Sequence, residues 1–192
     1  MNLIFIGLSG SGKSTFGEYC AALTGKRFID VDREIEKEYG KISDIFHSGG
    51  ESLFRAIEEK KLIDLAETKD GIIAAGGGAV LSPNAMNALK CNGLCVYLKC
   101  GLPELEKRLA ENSEGRPLFE GKDIASALSE MHAARAELYE RYADITINED
   151  EVLLSRGLLN EPLSVQTGAL YIELVRALEK KVYAPESSHW QK

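Results

Sequence analysis

Gly7, Gly12, Lys13 and Ser14 fall in the spacing GxxxxGK[ST], inside the opening run "MNLIFIGLSGSGKSTFGEYC". Glycines at such positions let successive backbone N–H groups turn inward around an anion. The start of a following helix adds partial positive charge, and the lysine carries a full charge to the outer phosphates. The Ser14 hydroxyl is then a ligand for Mg²⁺. No ordinary turn calls for a lysine followed by two hydroxyl residues. The motif reads as a site for a nucleoside triphosphate with Mg²⁺, built from Gly10, Ser11, Gly12, Lys13, Ser14 and Thr15.

Two classes of nucleoside triphosphate protein fit poorly. A GTPase switch requires a guanine-reading NKxD segment, which the chain lacks, and "HSGGE" (47–51) only superficially offers an ABC signature, without an apolar strand ending in Asp-Glu. That segment reads better as a helix break before "ESLFRAIEEKK". What remains is a small phosphotransferase, in which catalysis is mainly positioning and charge neutralisation. Such an enzyme needs an acid near the second strand, groups that hold the acceptor, and a mobile cation that closes over the phosphates. Asp30 and Asp32, two apart in "FIDVDREIE", can divide the metal and the acceptor hydroxyl between them. A helix N-cap at Asp32 beside a surface acid is the alternative. Arg55, in a helix expected to begin near Glu51, and Arg135, ahead of Tyr139 and Tyr142, are each by themselves solvated side chains. Arg116, in the proline-stiffened "EGRPLF", is placed to carry a closing cation. Gly76, Gly77 and Gly78 either let backbone approach a ligand or simply connect a strand to a helix.

Behind these residues the pattern alternates strands and helices. "NLIFI", "RFIDVD", "GIIAAGGGAV", "GLCVYLK" and "DITIN" have strand length and are largely apolar, as in a parallel sheet covered on both faces. Helices are expected from Lys13 to about Leu23, through the charged stretch from Arg33 to Glu67, over "PELEKRLAEN", from about Ala125 to Tyr142, and over "GALYIELVRALEKK". The fold class is α/β, a three-layer α/β/α P-loop fold with a central five-stranded parallel sheet, a mobile lid and a helical acceptor region. Ligands in such sheets sit beyond the carboxyl ends of the strands, where the glycine and acid segments lie.

With 192 residues, 44% hydrophobic and 28% charged, the chain has ordinary globular composition for one compact domain. A net charge of −7 gives no broad positive field for nucleic acid or an anionic membrane. No apolar run reaches eighteen residues and no signal-peptide pattern opens the chain, so a cytoplasmic setting is expected. Cys20, Cys91, Cys95 and Cys100 match neither a redox pair nor a zinc ribbon, and read as reduced, mostly buried thiols.

Taken in order, "GLSGSGKSTFG", "FIDVDREIEKEYG", "GGESLFRAIEEKKL", "IIAAGGGAV", "RPLF" and "RAELYERYADITI" closely resemble shikimate kinase over roughly residues 1 to 147. The resemblance implies ATP-dependent phosphorylation of the 3-hydroxyl of shikimate, a step toward chorismate and the aromatic amino acids, with ATP as co-substrate and one Mg²⁺ per subunit. It further implies that Asp32 contacts the ring hydroxyls and acts as base, with Lys13 and Arg116 as the other catalytic groups. Asp30 supports the metal with Ser14. Arg55 and Arg135 hold the carboxylate, Gly76 to Gly78 approach the ring, and Arg116 is the lid arginine over the nucleotide. Arg108 resembles the arginine that flanks adenine, although an i,i+4 pair with Glu104 explains it equally well.

The expected organisation is a single kinase domain over 1–183, with the acceptor region at about 31–62, the lid at about 111–124 and a frayed tail at 184–192, acting as a monomer. The resemblance weakens after Ile147, where "NEDEVLLSRGLLNEPLSVQTG" is longer and more apolar than expected. Arg156 and Pro162 are the only candidates there for adenine contacts. A gluconate-kinase-like or nucleoside monophosphate kinase is the nearest rival reading. A catalytically silent nucleotide-binding module is a rival from another class, although its expected mark, loss of the lysine, the second aspartate or an arginine, is missing.

Overall fold

The computed structural model describes residues 1–111 and 117–183. Five strands form one parallel sheet in the order β2-β3-β1-β4-β5: β1 (Asn2–Ile6), β2 (Arg27–Asp30), β3 (Gly71–Ala74), β4 (Gly93–Lys99) and β5 (Ile145–Asn148). The apolar runs have a direct cause. Ile4 and Ile6 of β1 pack into one core with Ile29, Ile73 and Tyr97, while Phe5 between them packs into a second core with Ile72, Val96 and Ile147. With helices on both faces there is no polar side for a strand to show, so period-two alternation disappears. The first core is closed by α2 (Val31–Tyr39), α3 (Ile42–Leu65), α4 (Pro83–Cys91), α5 (Leu102–Glu111) and α6 (Ile124–Tyr142). The second is closed by α1 (Lys13–Thr24) and α8 (Leu163–Tyr183), with α7 (Glu149–Ser155) between β5 and α8.

The α/β fold and its five-stranded sheet agree with the sequence reading, and four local features differ. "RFIDVD" does not remain extended to its end: β2 stops at Asp30, whose carboxylate accepts the Arg33 N–H at 3.2 Å and caps α2. The capping acid is thus Asp30, and Asp32 lies in the first helical turn rather than at a strand end. The charged stretch after it is two helices, the second broken at Gly50, whose φ of 68° suits glycine, so a helix does restart at Glu51. Helix α4 went unread, although Ser82 caps it by accepting the Ala85 N–H at 3.1 Å and Pro83 occupies its first turn, a start signal present in "LSPNAM". Finally, α8 begins at Leu163, ahead of the expected "GALYIELV", and α7 fills the stretch that carried no clear pattern.

The four cysteines are unpaired thiols, all buried except Cys91. Among the described residues no helix is long and apolar enough to cross a membrane.

Candidate active site

The carboxyl ends of β1, β2 and β3 open into one cleft of about 1060 Å³ that runs from the glycine loop to α3 and α6. Its donor end is made of backbone. Gly10 and Gly12 have φ of 84° and 79°, accessible at little strain only to glycine. Helix α1 starts at Lys13 with no side-chain cap and no acid in its first turn. Its first N–H groups therefore remain for an anion, with the helix dipole behind them. Lys13, 9% exposed, folds back over this loop: its Nζ donates to Gly7 O at 2.9 Å and Leu8 O at 2.8 Å. The Ser14 hydroxyl donates to Asp30 Oδ2 at 2.5 Å.

At the acceptor end, side chains from well-separated segments converge. Arg55 Nη1 donates to Glu58 Oε2 at 2.5 Å, while its Nε and Nη2 donate to Glu51 Oε1 at 3.1 and 2.9 Å. Glu58 is 2% exposed. Burial raises its pKa, against the pull of Arg55 and Arg135. Arg135 is also buried, its Nη1 donating to Gly77 O at 3.3 Å; the Tyr139 hydroxyl donates to the same carbonyl. Two buried atoms here, Glu58 Oε1 and Arg135 Nε, have no hydrogen-bond partner among the described residues. Buried polar atoms rarely stay unpaired without a reason, and a ligand that completes them is one such reason. Burial, then the charges of Glu58 and Asp30, push the Asp32 carboxyl up to about 6, with Lys13 and Arg55 opposing.

The triple glycine has a steric explanation. A Cβ on Gly76 would strike Glu58 Oε1 and sit 3.1 Å from Asp32 Oδ1, and one on Gly78 would strike the Arg55 guanidinium. None of the three has positive φ; at Gly76 and Gly78 the requirement is room for the charged groups, while a Cβ on Gly77 would sit 3.2 Å from Ser9 of the glycine loop. This goes beyond a flexible connector.

Arg108 makes the i,i+4 pair and also touches the glycine loop. Its Nε donates to Glu104 Oε1 at 2.9 Å, the i,i+4 pair, while Nη1 reaches Gly10 O at 3.4 Å on the glycine loop. Both terminal nitrogens also bond Glu149 at the start of α7. Arg156 pairs with Glu173 at 3.1 Å, and neither it nor Pro162 is among the residues lining the cleft. That flank of the cleft is formed by Leu163, Gln166, Thr167 and Leu170 of α8. Arg116 lies outside the described residues, as does part of the expected lid; the remainder includes Leu118 and Phe119, which line the cleft.

Two residues of the site escaped the sequence reading. Glu58 had a signal, its i,i+3 placement from Arg55 on one helix face. Glu149 had none, being 41 residues from Arg108.

The fold and cleft are those of a P-loop small-molecule kinase: an uncapped helix start suited to phosphates at one end, and a compact charged chamber beyond it. Comparison narrows this. The shikimate kinase family model matches residues 9–156. The shikimate kinase of Mannheimia succiniciproducens is 38% identical over 152 residues, covering 78% of this chain and 86% of its own length. That of Burkholderia lata is 34% identical over 184 residues, covering 95% and 96%. The structure of the Acinetobacter baumannii shikimate kinase, solved in complex with shikimate, superimposes with a TM-score of 0.78 at 28% identity, covering 97% of this chain and 95% of that one. The chain belongs to the shikimate kinase family.

Proposed function

We propose that this enzyme transfers the γ-phosphoryl group of ATP to the 3-hydroxyl of shikimate, giving ADP and shikimate 3-phosphate on the route to chorismate. The observation that carries this reading is the acceptor chamber. Two arginines and a carboxyl with a raised pKa surround unpaired buried polar atoms at one end of a phosphate-binding cleft. A small ring with one carboxylate and several hydroxyls has the complementary groups.

In this reading Arg55 and Arg135 hold the carboxylate and fix the ring, and Gly76 to Gly78 keep the chamber open for it. Asp32 takes the proton of the hydroxyl as it attacks. A carboxylate whose pKa lies near 6 is ionised at neutral pH yet more basic than an ordinary aspartate, which suits a general base. Lys13 exchanges the carbonyls of Gly7 and Leu8 for phosphate oxygens, while Gly10, Ser11, Gly12, Ser14 and Thr15 cradle them.

The donor set of Ser14 and Asp30, one hydroxyl and one carboxylate, suits Mg²⁺, which typically takes few protein oxygens and completes its shell with phosphates and water. When bound, the ion would offset the charge on the transferring phosphoryl group. Arg116 is assigned the closing cation, and the domain over 1–183 is assigned to work as a cytoplasmic monomer.

The test is ADP release coupled to a spectrophotometric readout, with MgATP against shikimate, gluconate and nucleoside monophosphates in parallel. Saturable shikimate-dependent turnover is expected. Turnover with another acceptor and none with shikimate would overturn the assignment.

A further inference from the structure

We propose that Glu149 is a positioning residue for the nucleobase of the phosphate donor: it holds Arg108 so that the guanidinium offers its flat face to the base. The inference rests on the reading of the cleft as an ATP site.

A guanidinium carries five N–H donors, and the Arg108 bonds to Glu104, Gly10 and Glu149 occupy four of them. The two carboxylates also offset its charge. A cation so engaged has little left for a phosphate oxygen, but the face of a guanidinium stays available for stacking on a planar ring. Its place in the cleft agrees. Arg108 Nη1 lies 3.9 Å from where a Cβ on Gly12 would be, next to the start of α1. Leu163, Gln166, Thr167 and Leu170 line the same cleft.

Glu149 is fixed enough to impose that orientation. It is 6% exposed and is the first residue of α7. That turn is anchored on both sides of it: Asn148 accepts the Glu151 N–H at 3.4 Å, and Asp150 accepts the Gly101 N–H, just ahead of α5, at 2.7 Å. Helix α7 thereby clamps the helix that carries Arg108. Without the Glu149 carboxylate, the guanidinium loses its charged two-oxygen partner and keeps Glu104, on its own helix, and a single long bond to Gly10; a glutamine at 149 offers one neutral acceptor oxygen in place of two.

The experiment titrates ADP and inorganic tripolyphosphate, which has no base, into the full chain and into E149Q, R108A and the double variant. In E149Q the Kd for ADP and the KM for ATP are expected to rise about tenfold, a loss of roughly 1.4 kcal/mol. Tripolyphosphate affinity, kcat at saturating ATP and the KM for shikimate are expected to stay within about twofold. The double variant is expected to bind ADP no more weakly than R108A, because the two residues act as one unit. Unchanged ADP binding in E149Q, equal losses for ADP and tripolyphosphate, or additive losses in the double variant would each overturn the proposal. Failure of the parent chain to bind ADP would instead remove the donor reading, and the proposal with it.

Discussion

The two ends of the cleft are built by opposite means. The donor end is one contiguous segment, Gly7 to Thr15, whose binding groups are mostly backbone N–H groups at an uncapped helix start. The acceptor end is made of side chains from α2, α3 and α6 around the turn after β3, two of which, Glu58 and Arg135, are charged and buried. Backbone N–H groups cost little to hold in place before the ligand arrives. Buried carboxylates and guanidinium groups with unpaired atoms cost a good deal, because they are desolvated while their partner is still missing. The acceptor end is where this fold gives up stability for selectivity, and substitutions there should separate the two quantities.

The largest effect is expected at Asp32. D32N keeps the shape and removes the base, so turnover should fall by about 10²–10⁴-fold while ADP binding persists. In the parent, kcat/KM for shikimate should decline below pH about 6 as Asp32 takes up a proton, and that limb should vanish from any residual D32N activity. Near-normal turnover of D32N would show that the hydroxyl proton leaves by another path.

Next in size are the arginines. R135A and R55A should each raise the KM for shikimate by an amount equivalent to about 2–5 kcal/mol, with the KM for ATP little changed. R55A should also lose stability, since Glu58 is left buried without its ion-pair partner. An unmoved KM for shikimate would take the arginine concerned out of the acceptor chamber.

The contrast between the ends also governs what could be read in the sequence. The donor end was legible because a backbone cradle requires glycines, one lysine and one hydroxyl at fixed spacing between a strand and a helix. The strands were legible because the core needs unbroken apolar runs. Arg55 and Arg135 were not legible singly, because a helical arginine is usually solvated; only their order with the triple glycine and the aspartates singled them out. The position of Asp32 within the fold was misjudged for a local reason. An aspartate pair after an apolar run fits a strand end or a helix cap equally, and the Arg33 N–H bond to Asp30 decides it. Glu149 stayed hidden because its role exists only where α5 and α7 meet.

A smaller effect, in stability rather than rate, tests the cost of the acceptor end directly. The folded pKa of Asp32, about 6, lies above the ordinary 3.8, so the folded state favours the protonated carboxyl. That contribution to stability is fully present below pH about 4 and is lost as pH rises through 6. Asparagine stays neutral throughout. D32N should therefore be more stable than the parent near pH 7 by about 3 kcal/mol, with the gap closing toward pH 4. E58Q is the contrasting case: burial also raises the Glu58 pKa, but the substitution takes from Arg55 its buried ion-pair partner and should lose stability. Denaturant midpoints across this range would measure both, and a D32N variant no more stable than the parent at neutral pH would refute the stability cost assigned to the acceptor end.

The smallest effect belongs to Arg156, on neither end. Its bond to Glu173 joins α7 to α8 at 3.1 Å between side chains that are 25% and 33% exposed. Ion pairs this open contribute about 0.2–1 kcal/mol. R156A should lower thermal stability by no more than a few degrees and leave the KM for both substrates where it was, in contrast to the tenfold rise in the KM for ATP expected of E149Q. Glu149 opens this short helix and Arg156 caps its end, so the pair of variants asks whether α7 serves the nucleotide through its first turn alone. A raised KM for ATP in R156A would extend the nucleotide site along α7 and blunt the distinction between a backbone donor end and a side-chain acceptor end.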